Sequence, residues 1–288
     1  MTIRTDSRDA GRRRPRSSSP GGPLVTVLLS AYAFIAVGPL LLMVSNSLRP
    51  SKDIYTDPVG LPIPPSFASY TLAWSKGNFS QYFVNSFVVT TASVLLTIAV
   101  AVPAAYAISR SRSRIVGAIE ATFLSGLMLP VHLAILPLFY LMDSMRLVDN
   151  PVSLVLIYST IGIPFSVFVL TAFFRQLPME LEEAAQIDGA GSFRRFLTIM
   201  VPLVRPAIAT VAIFRFVPIW NDFLFPLVLM RSTSHYTLPV GLTSFFGQYQ
   251  TDWSALFAGL VIATLPLVVL FLLATRQIIS GLTAGMSK

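Results

Sequence analysis

Cysteine is absent from this chain of 288 residues, which excludes disulfides, thiolate zinc sites and a cysteine nucleophile. Histidine occurs only twice, as His132 and His235, and two histidines so far apart do not suggest a histidine-rich metal centre. Charge is scarce. Only 12% of residues are charged, about half the fraction of an ordinary soluble domain. No Gly-x-x-x-x-Gly-Lys-Ser/Thr string occurs, so no nucleotide phosphate loop is expected in this polypeptide. What is present is apolar: 54% of residues are hydrophobic and the mean hydropathy is +0.70. Those values describe an integral membrane protein. The net charge of +8 would suggest a nucleic-acid partner if it were clustered on a fold. It lies instead mostly at the N-terminus and in short loops, where topology requires it, so nucleic acid is not expected as a partner.

A crossing needs about 20 mostly apolar residues. Six segments qualify: Leu24 to Val44, Phe83 to Ile108, Ile115 to Met142, Val152 to Phe174, Ala207 to Met230 and Ala255 to Thr275. All are too long and too evenly apolar for the alternating strands of an outer-membrane barrel. The expected fold class is therefore an all-α integral membrane protein with six transmembrane helices. With the N-terminus inside, fifteen of the 21 Lys and Arg residues fall on the cytoplasmic side and five outside, with Arg215 within a span. The positive-inside rule thus places both termini in the cytoplasm. The first segment follows arginines as a signal peptide would. Its apolar run is longer than a signal core, however, and no small-residue cleavage pattern closes it.

Three domains are expected. Residues 1–23 form a disordered Arg-rich cytoplasmic tail, a topology anchor able to touch anionic lipid. Residues 24–279 form the membrane domain, and 280–288 a cytoplasmic C-terminal tail. Ser45 to Tyr82, with Pro50, Pro58, Pro62, Pro64 and Pro65, reads as a stiff external loop with a short helix near Phe67 to Ser75. It can dock an extracytoplasmic partner or simply cap the bundle. Prolines recur within the apolar segments. Each removes a helix hydrogen bond, which fits packing irregularity and rocking helices equally well.

The polar loop 176–206 lies between the fourth and fifth segments, on the expected cytoplasmic side. Pro178 suits a first helical turn. Glu180, Glu182 and Glu183 place negative charge at the positive end of the helix dipole. Ala184 and Ala185 favour helix, and Gly189 can take the positive φ that ends it. Ser192 can cap a second helix from Phe193, and Pro202 and Pro206 punctuate its exit. The expectation is a helix–turn–helix along the membrane surface whose small-residue face fits a groove on another protein.

Glu183-Ala184-Ala185, Gly189, Ile199 and Pro202 resemble the EAA motif of ABC importer permeases, with Val201 where the family usually has Leu. The fuller string Leu181 to Ala190 is similar to the carbohydrate-importer (MalG-like) branch. Trp220-Asn221-Asp222-Phe223-Leu224-Phe225 and Gly281-Leu282-Thr283-Ala284-Gly285 resemble further segments of that branch. The likeness runs from about Leu24 to Gly285. It implies that the loop is a coupling helix seated in a cleft of an ATP-binding subunit. Glu183, Ala184, Ala185 and Gly189 would then form the contact and turn, Ile199 and Pro202 would fix the second arm, and Asp188 would hold the turn. It implies a dimer of ATP-binding subunits, a second permease subunit, an extracytoplasmic solute-binding protein, and alternating access in a prokaryotic cytoplasmic membrane. This chain would carry no catalytic site and no cofactor, ATP and magnesium being held by the ATPase subunit.

Charge within a span marks a functional site by default. Arg215, Asn221 and Asp222 read as neighbours on one helix, with Arg215 and Asp222 about 10 Å apart along its axis. One reading is a translocation path that hydrogen-bonds solute hydroxyls. The other is structural, with Asn221 and Asp222 fixing the helix and Arg215 snorkelling. His132 reads as a hydrogen-bonded packing residue, Trp74 and Trp253 as interfacial anchors, and Trp220 as packed within the bundle. Two other functions stay open: a gradient-driven secondary transporter, which should show paired acidic sites in repeated halves, and a membrane enzyme, which should show convergent acid–base groups. Polyols and glycerol phosphates stand beside sugars as solutes.

Overall fold

A computed structural model describes residues 22–76, 78–111, 113–128, 130–246 and 251–284. The expected N-terminal tail up to residue 21, and Gly285 to Lys288, lie outside the described residues. The described chain is helical, and its only pairing of extended backbone is a single bridge between Phe246 and Thr251. In order the helices are α1 (Gly22–Ser47), α2 (Ser51–Thr56), α3 (Ala68–Thr71, continued by a π turn Leu72–Lys76), α4 (Phe79–Arg110), α5 (Arg114–Gly126), α6 (Ile135–Ser144, preceded by a 3-10 turn Val131–Ala134), α7 (Pro151–Gln176), α8 (Glu180–Ile187), α9 (Ser192–Arg195, continued by a π turn Phe196–Met200), α10 (Val201–Leu203), α11 (Arg205–Trp220), α12 (Leu224–Leu229), α13 (Leu238–Gly241) and α14 (Trp253–Ala284). The chain up to Met43 forms one unit and that from Val44 onward another.

Four helices are long and apolar enough to cross a bilayer: Pro23–Ser47, Phe79–Arg110, Pro151–Gln176 and Trp253–Leu273. Two bent pairs raise the number to as many as six: Arg114–Gly126 with Val131–Ser144, at 86°, and Ser192–Leu203 with Arg205–Trp220, at 71°. The third apolar segment is therefore not the single helix that its composition suggests. Pro130 has no N–H to donate and disfavours helix just before it, and the last N–H groups of α5 tighten onto i−3 carbonyls, Leu127 to Leu124 and Met128 to Ser125, both at 3.1 Å. Glu120 and His132 consequently sit on different elements. The fifth segment is also interrupted. Its helix stops at Trp220, and the Asp222 carboxylate accepts from the Leu224 N–H at 3.0 Å to start α12. An Asp side chain that bonds local backbone competes with helix continuation. Arg215 and Asp222 thus do not lie on one helical face.

Local signals explain the other termini. Asn150 caps α7 by accepting from the Val152 N–H at 3.0 Å, Pro151 occupies its first turn and Arg175 its last, a combination that suits the helix dipole. In the external loop the sequence reading missed α2, where Asp53 lies in the first turn.

The core of the second unit is built around α4 and α7. One apolar cluster joins Ala101, Ala105 and Ile108 of α4 to Val167, Leu170 and Phe174 of α7 and to Met200, Ala207 and Val211. A second joins Val89 and Val94 to Leu154, Ile157, Tyr158, Ile219 and Phe225. A third gathers Phe79, Tyr82, Trp220 and Leu238 with Ala255, Leu256 and Ala258 of α14. Trp220 is fully buried and donates to the Ala263 carbonyl at 2.9 Å, as its packing role requires. Between the first two clusters α4 and α7 meet through small residues. The Ser159 hydroxyl donates to the Ser93 carbonyl at 3.2 Å. A Cβ on Gly162 would lie 2.9 Å from the Thr97 hydroxyl and 2.7 Å from Arg215 Nε. Close approach through small side chains is the usual way membrane helices pack tightly.

Candidate functional site

Two places merit description: the polar loop after α7 and a cleft beside α11. In the loop, α8 starts at Glu180, with Met179 at its N-cap, so Pro178 precedes the helix instead of sitting in its first turn. The helix ends as expected at Gly189, with φ of 80°. The Ala190 N–H reaches back to the Ala185 carbonyl at 2.9 Å and the Gly189 N–H to that of Gln186 at 3.0 Å, which is a Schellman closure. Asp188 is the C-cap and its side chain is exposed. Ser192 does not cap the second helix. Gly191 takes the N-cap position, and the Ser192 hydroxyl instead accepts from Arg195 Nη2 at 3.0 Å.

Helical phase divides α8 into two faces. Glu182 and Ala185, three residues apart, are both buried. Glu182 is held by the Tyr106 hydroxyl at 2.7 Å and by Arg110 Nε at 2.5 Å. Glu183, Ala184 and Gln186 face outward, in company with Ile187 at 86% exposure and, across the turn, Phe193 at 75%. Ile199 packs against the cluster formed by α4 and α7, and Pro202 is half-buried. From the sequence alone Glu182 is only one of three first-turn acids. The signal that separates it from Glu183 is its shared phase with Ala185.

The cleft has a volume of about 530 Å³ and is lined by His132, Tyr158, Ile161, Arg215, Pro218, Asp222 and Phe225 among others. It brings together Arg215 and Asp222 from different elements. Asn221 is not in its lining; its amide donates to the Val217 carbonyl at 2.9 Å. Asp222 accepts from the Tyr158 hydroxyl at 2.7 Å. Arg215 donates from Nη2 to the Tyr158 carbonyl at 3.3 Å, and its Nε has no hydrogen-bond partner. No carboxylate forms an ion pair with it among the described residues. Arg215 thus lines the cleft. His132 is exposed and stacks on Phe225 with ring centroids 6.1 Å apart; no hydrogen bond to it is found among the described residues. Tyr158, the residue that links the two charges, was missed in the sequence because an isolated tyrosine in an apolar run carries no pattern. No group of acids and histidines suited to a metal ion occurs among the described residues.

A family model described as the inner membrane component of binding-protein-dependent transport systems matches residues 93–283, from the middle of α4 to the end of α14. The chain belongs to that family. This permease is 34% identical over 260 residues to the diacetylchitobiose uptake system permease protein NgcG of Streptomyces coelicolor, covering 90% of this chain and 86% of that one. It is likewise 34% identical to the arabinooligosaccharides transport system permease protein AraQ of Halalkalibacterium halodurans, covering 91% and 95% of the two chains. A crystal structure of a bacterial ABC transporter involved in import of the acidic polysaccharide alginate contains a chain of the same fold, with a TM-score of 0.81, 21% identity and coverage of 91% and 98%. The permease is thus a multi-pass membrane subunit of an ABC importer. It is not itself an enzyme; ATP hydrolysis belongs to a separate subunit.

Proposed function

We propose that this permease carries a saccharide across a prokaryotic cytoplasmic membrane, with six transmembrane helices and both termini in the cytoplasm. Residues 1–23 and 280–288 are its cytoplasmic tails, 24–279 its membrane domain and 176–206 its coupling loop. In this reading α8 is the coupling helix. Its outward face of Glu183, Ala184 and the Gly189 turn enters a cleft in the ATPase subunit, Asp188 closes the turn, and Ile199 and Pro202 anchor the return arm. Two ATPase copies hold ATP and magnesium, a second permease subunit completes the pore, and an extracytoplasmic binding protein delivers solute. Closure of the ATPase pair moves the coupling helices and opens the cleft outward; hydrolysis returns it inward. The solute class follows from relatives whose names specify diacetylchitobiose and arabinooligosaccharides. The Arg215, Tyr158 and Asp222 wall offers donors and acceptors suited to hydroxyls, with Asn221 at its edge.

The observation that carries the coupling reading is the uncovered apolar pair Ile187 and Phe193 beside the exposed Glu183 and Ala184. Exposed apolar groups rimmed by charge on a polar loop mark a protein contact. The test uses the lack of native cysteines. Ile187→Cys in the native membrane should cross-link to a phosphate-loop ATPase, and a mild-detergent pull-down should recover that ATPase with a second permease. Recovery of the chain alone, with no cross-link, would overturn the reading. Uptake of a labelled panel of chito- and arabino-oligosaccharides tests the solute class, and failure of every member would remove the saccharide assignment.

A further inference from the structure

The coupling helix is tied to this chain by more than its own two ends. Glu182 is 8% exposed, and both of its carboxylate oxygens are used, one by Tyr106 and the other by Arg110. The ion-paired side chains of Arg110 and Glu182 are only 13% and 10% exposed. A charged residue so nearly buried is costly unless paired and hydrogen-bonded, and here both conditions hold. The partners sit at the end of α4, 76 and 72 residues earlier in the sequence.

The same residues reach further. Arg110 Nη2 donates to the carbonyl of Leu177, the C-cap of α7, at 3.3 Å. The Tyr106 ring meets Phe174 of α7 at 5.6 Å and Phe196 of the return arm at 5.0 Å between centroids. Arg195 Nη1 donates to the Glu182 carbonyl at 3.4 Å and to Gln186 Oε1 at 2.9 Å. One carboxylate therefore sits at the junction of α4, α7, α8 and the return arm. Further along the pair, Tyr158 of α7 lines the cleft and bonds Arg215, and Gly162 of α7 lies against both Arg215 and Thr97 of α4.

We propose that Glu182, with Tyr106 and Arg110, is the joint through which displacement of α8 reaches the α4–α7 pair and hence the cleft. The inference rests on the reading of α8 as the coupling helix and adds to it three positioning residues on the buried face, distinct from those that meet the ATPase. An α8 joined only through 177–179 and 188–191 could pivot on its connections. Two bonds from α4 to Glu182 in the first turn of α8, one from a hydroxyl and one charge-assisted, in a nearly dry site, make it move with α4, because such bonds are short, directional and strong.

The test needs no knowledge of the solute. In the intact importer a single Ile161→Cys, in the cleft wall, reports cleft accessibility through its rate of labelling by N-ethylmaleimide. Trapping the complex with ATP and vanadate should change that rate. In Tyr106→Phe and Glu182→Gln the complex should still assemble and hydrolyse ATP, yet the ATP-dependent change should shrink about tenfold, the scale of one lost charged hydrogen bond. The exchange Arg110→Glu with Glu182→Arg should restore part of it, which a merely structural role would not require. Tyr106→Phe keeps the ring against Phe174 and Phe196, so it decides the matter if Glu182→Gln fails to assemble. A full ATP-dependent change in both variants, with the Ile187→Cys cross-link to the ATPase intact, would overturn the joint and leave the coupling reading standing. Loss of that cross-link in the otherwise unaltered chain would overturn both.

Discussion

At Gly189 a Cβ would meet no atom within 4 Å, so space is not what calls for glycine there. The φ of 80° is the reason, because a left-handed conformation costs an L-residue about 1–2 kcal/mol and a β-branched one more. A graded series is therefore expected. Gly189→Asn should be close to native, Gly189→Ala intermediate and Gly189→Val inactive in ATP-driven uptake, while all four proteins reach the membrane in equal amounts. Equal uptake by the Val variant would remove the turn from the mechanism. Gly162 is constrained in the opposite way. Its backbone conformation is ordinary, but a Cβ would sit 2.7 Å from Arg215 Nε and 2.9 Å from Thr97 Oγ1. Gly162→Ala should lower stability by about 1–3 kcal/mol, read as an earlier thermal unfolding transition in detergent. The sequence announced the first glycine through its position after Glu-Ala-Ala. It gave no sign of the second, whose neighbours are 65 and 53 residues away in the chain.

Among elements, the junction of α11 and α12 carries the sharpest expectation. Asp222 has two structural duties, accepting from the Leu224 N–H at the start of α12 and from the buried Tyr158 hydroxyl. Asp222→Ala should cost about 1–3 kcal/mol, because it leaves a buried donor without an acceptor, and Tyr158→Phe in the same background should recover part of that loss. Asp222→Asn keeps an oxygen for the Leu224 N–H but sets an amide NH2 against the Tyr158 hydroxyl, which must turn to accept it, so this variant should remain more stable than Asp222→Ala. If it also retains uptake, the negative charge has no role in the path. Hydropathy located all of the apolar segments but could not show where two of them break. A window average is blind to a proline that withholds one hydrogen bond at Pro130, and to an aspartate that takes over a backbone N–H after Trp220. Short amphipathic pieces such as α2 were hidden for the converse reason, since prolines on both sides argued for extended chain. In the polar loop the helix formers up to Ala185 and the stop at Gly189 were legible because they follow one another without interruption, whereas neither Pro178 nor Ser192 takes the place that its residue type suggests.

At the scale of the whole molecule, two acidic residues clasp the face opposite the coupling loop. Asp149 accepts from the backbone N–H groups of Arg231 and Ser232 at 2.9 Å, and from the Ser232 hydroxyl and His235. Hydrogen bonds from Ser232, side chain first and then backbone, hold its carboxyl well below the usual carboxylate range. Asp252 joins Ser51 at the start of α2 to Ser254 and Ala255 at the start of α14. Burial pushes its carboxyl up, and the bonds from Ala255, Ser51 and Ser254 outweigh that and leave it lowered. Both groups titrate lower when folded than unfolded, so their stabilisation is complete above the unfolded pKa of about 3.9 and is lost as the pH falls through the folded values. Protease resistance of the segments 45–66 and 231–246 should thus be constant from neutral pH down to about 4 and fall below it. Asp149→Asn should weaken that protection of the 231–246 segment already at neutral pH. Unchanged protection in that variant would show that the clasp is incidental.

The serine and threonine row along α4 has a bearing on how the protein is made. The Ser93 and Thr97 hydroxyls already donate to carbonyls of their own helix, Val89 at 2.7 Å and Ser93 at 2.8 Å. A hydroxyl satisfied in this way adds little polarity to a helix surrounded by lipid. These two hydroxyls therefore need no partner from a later helix, and put no unmet donor into lipid while the next forty residues are still on the ribosome. Arg215 is different, since its guanidinium cannot satisfy itself. It is synthesised 57 residues after Tyr158, whose carbonyl receives it. The acceptor is thus made before the cation, so that Arg215 can be met by α7 as it enters the membrane.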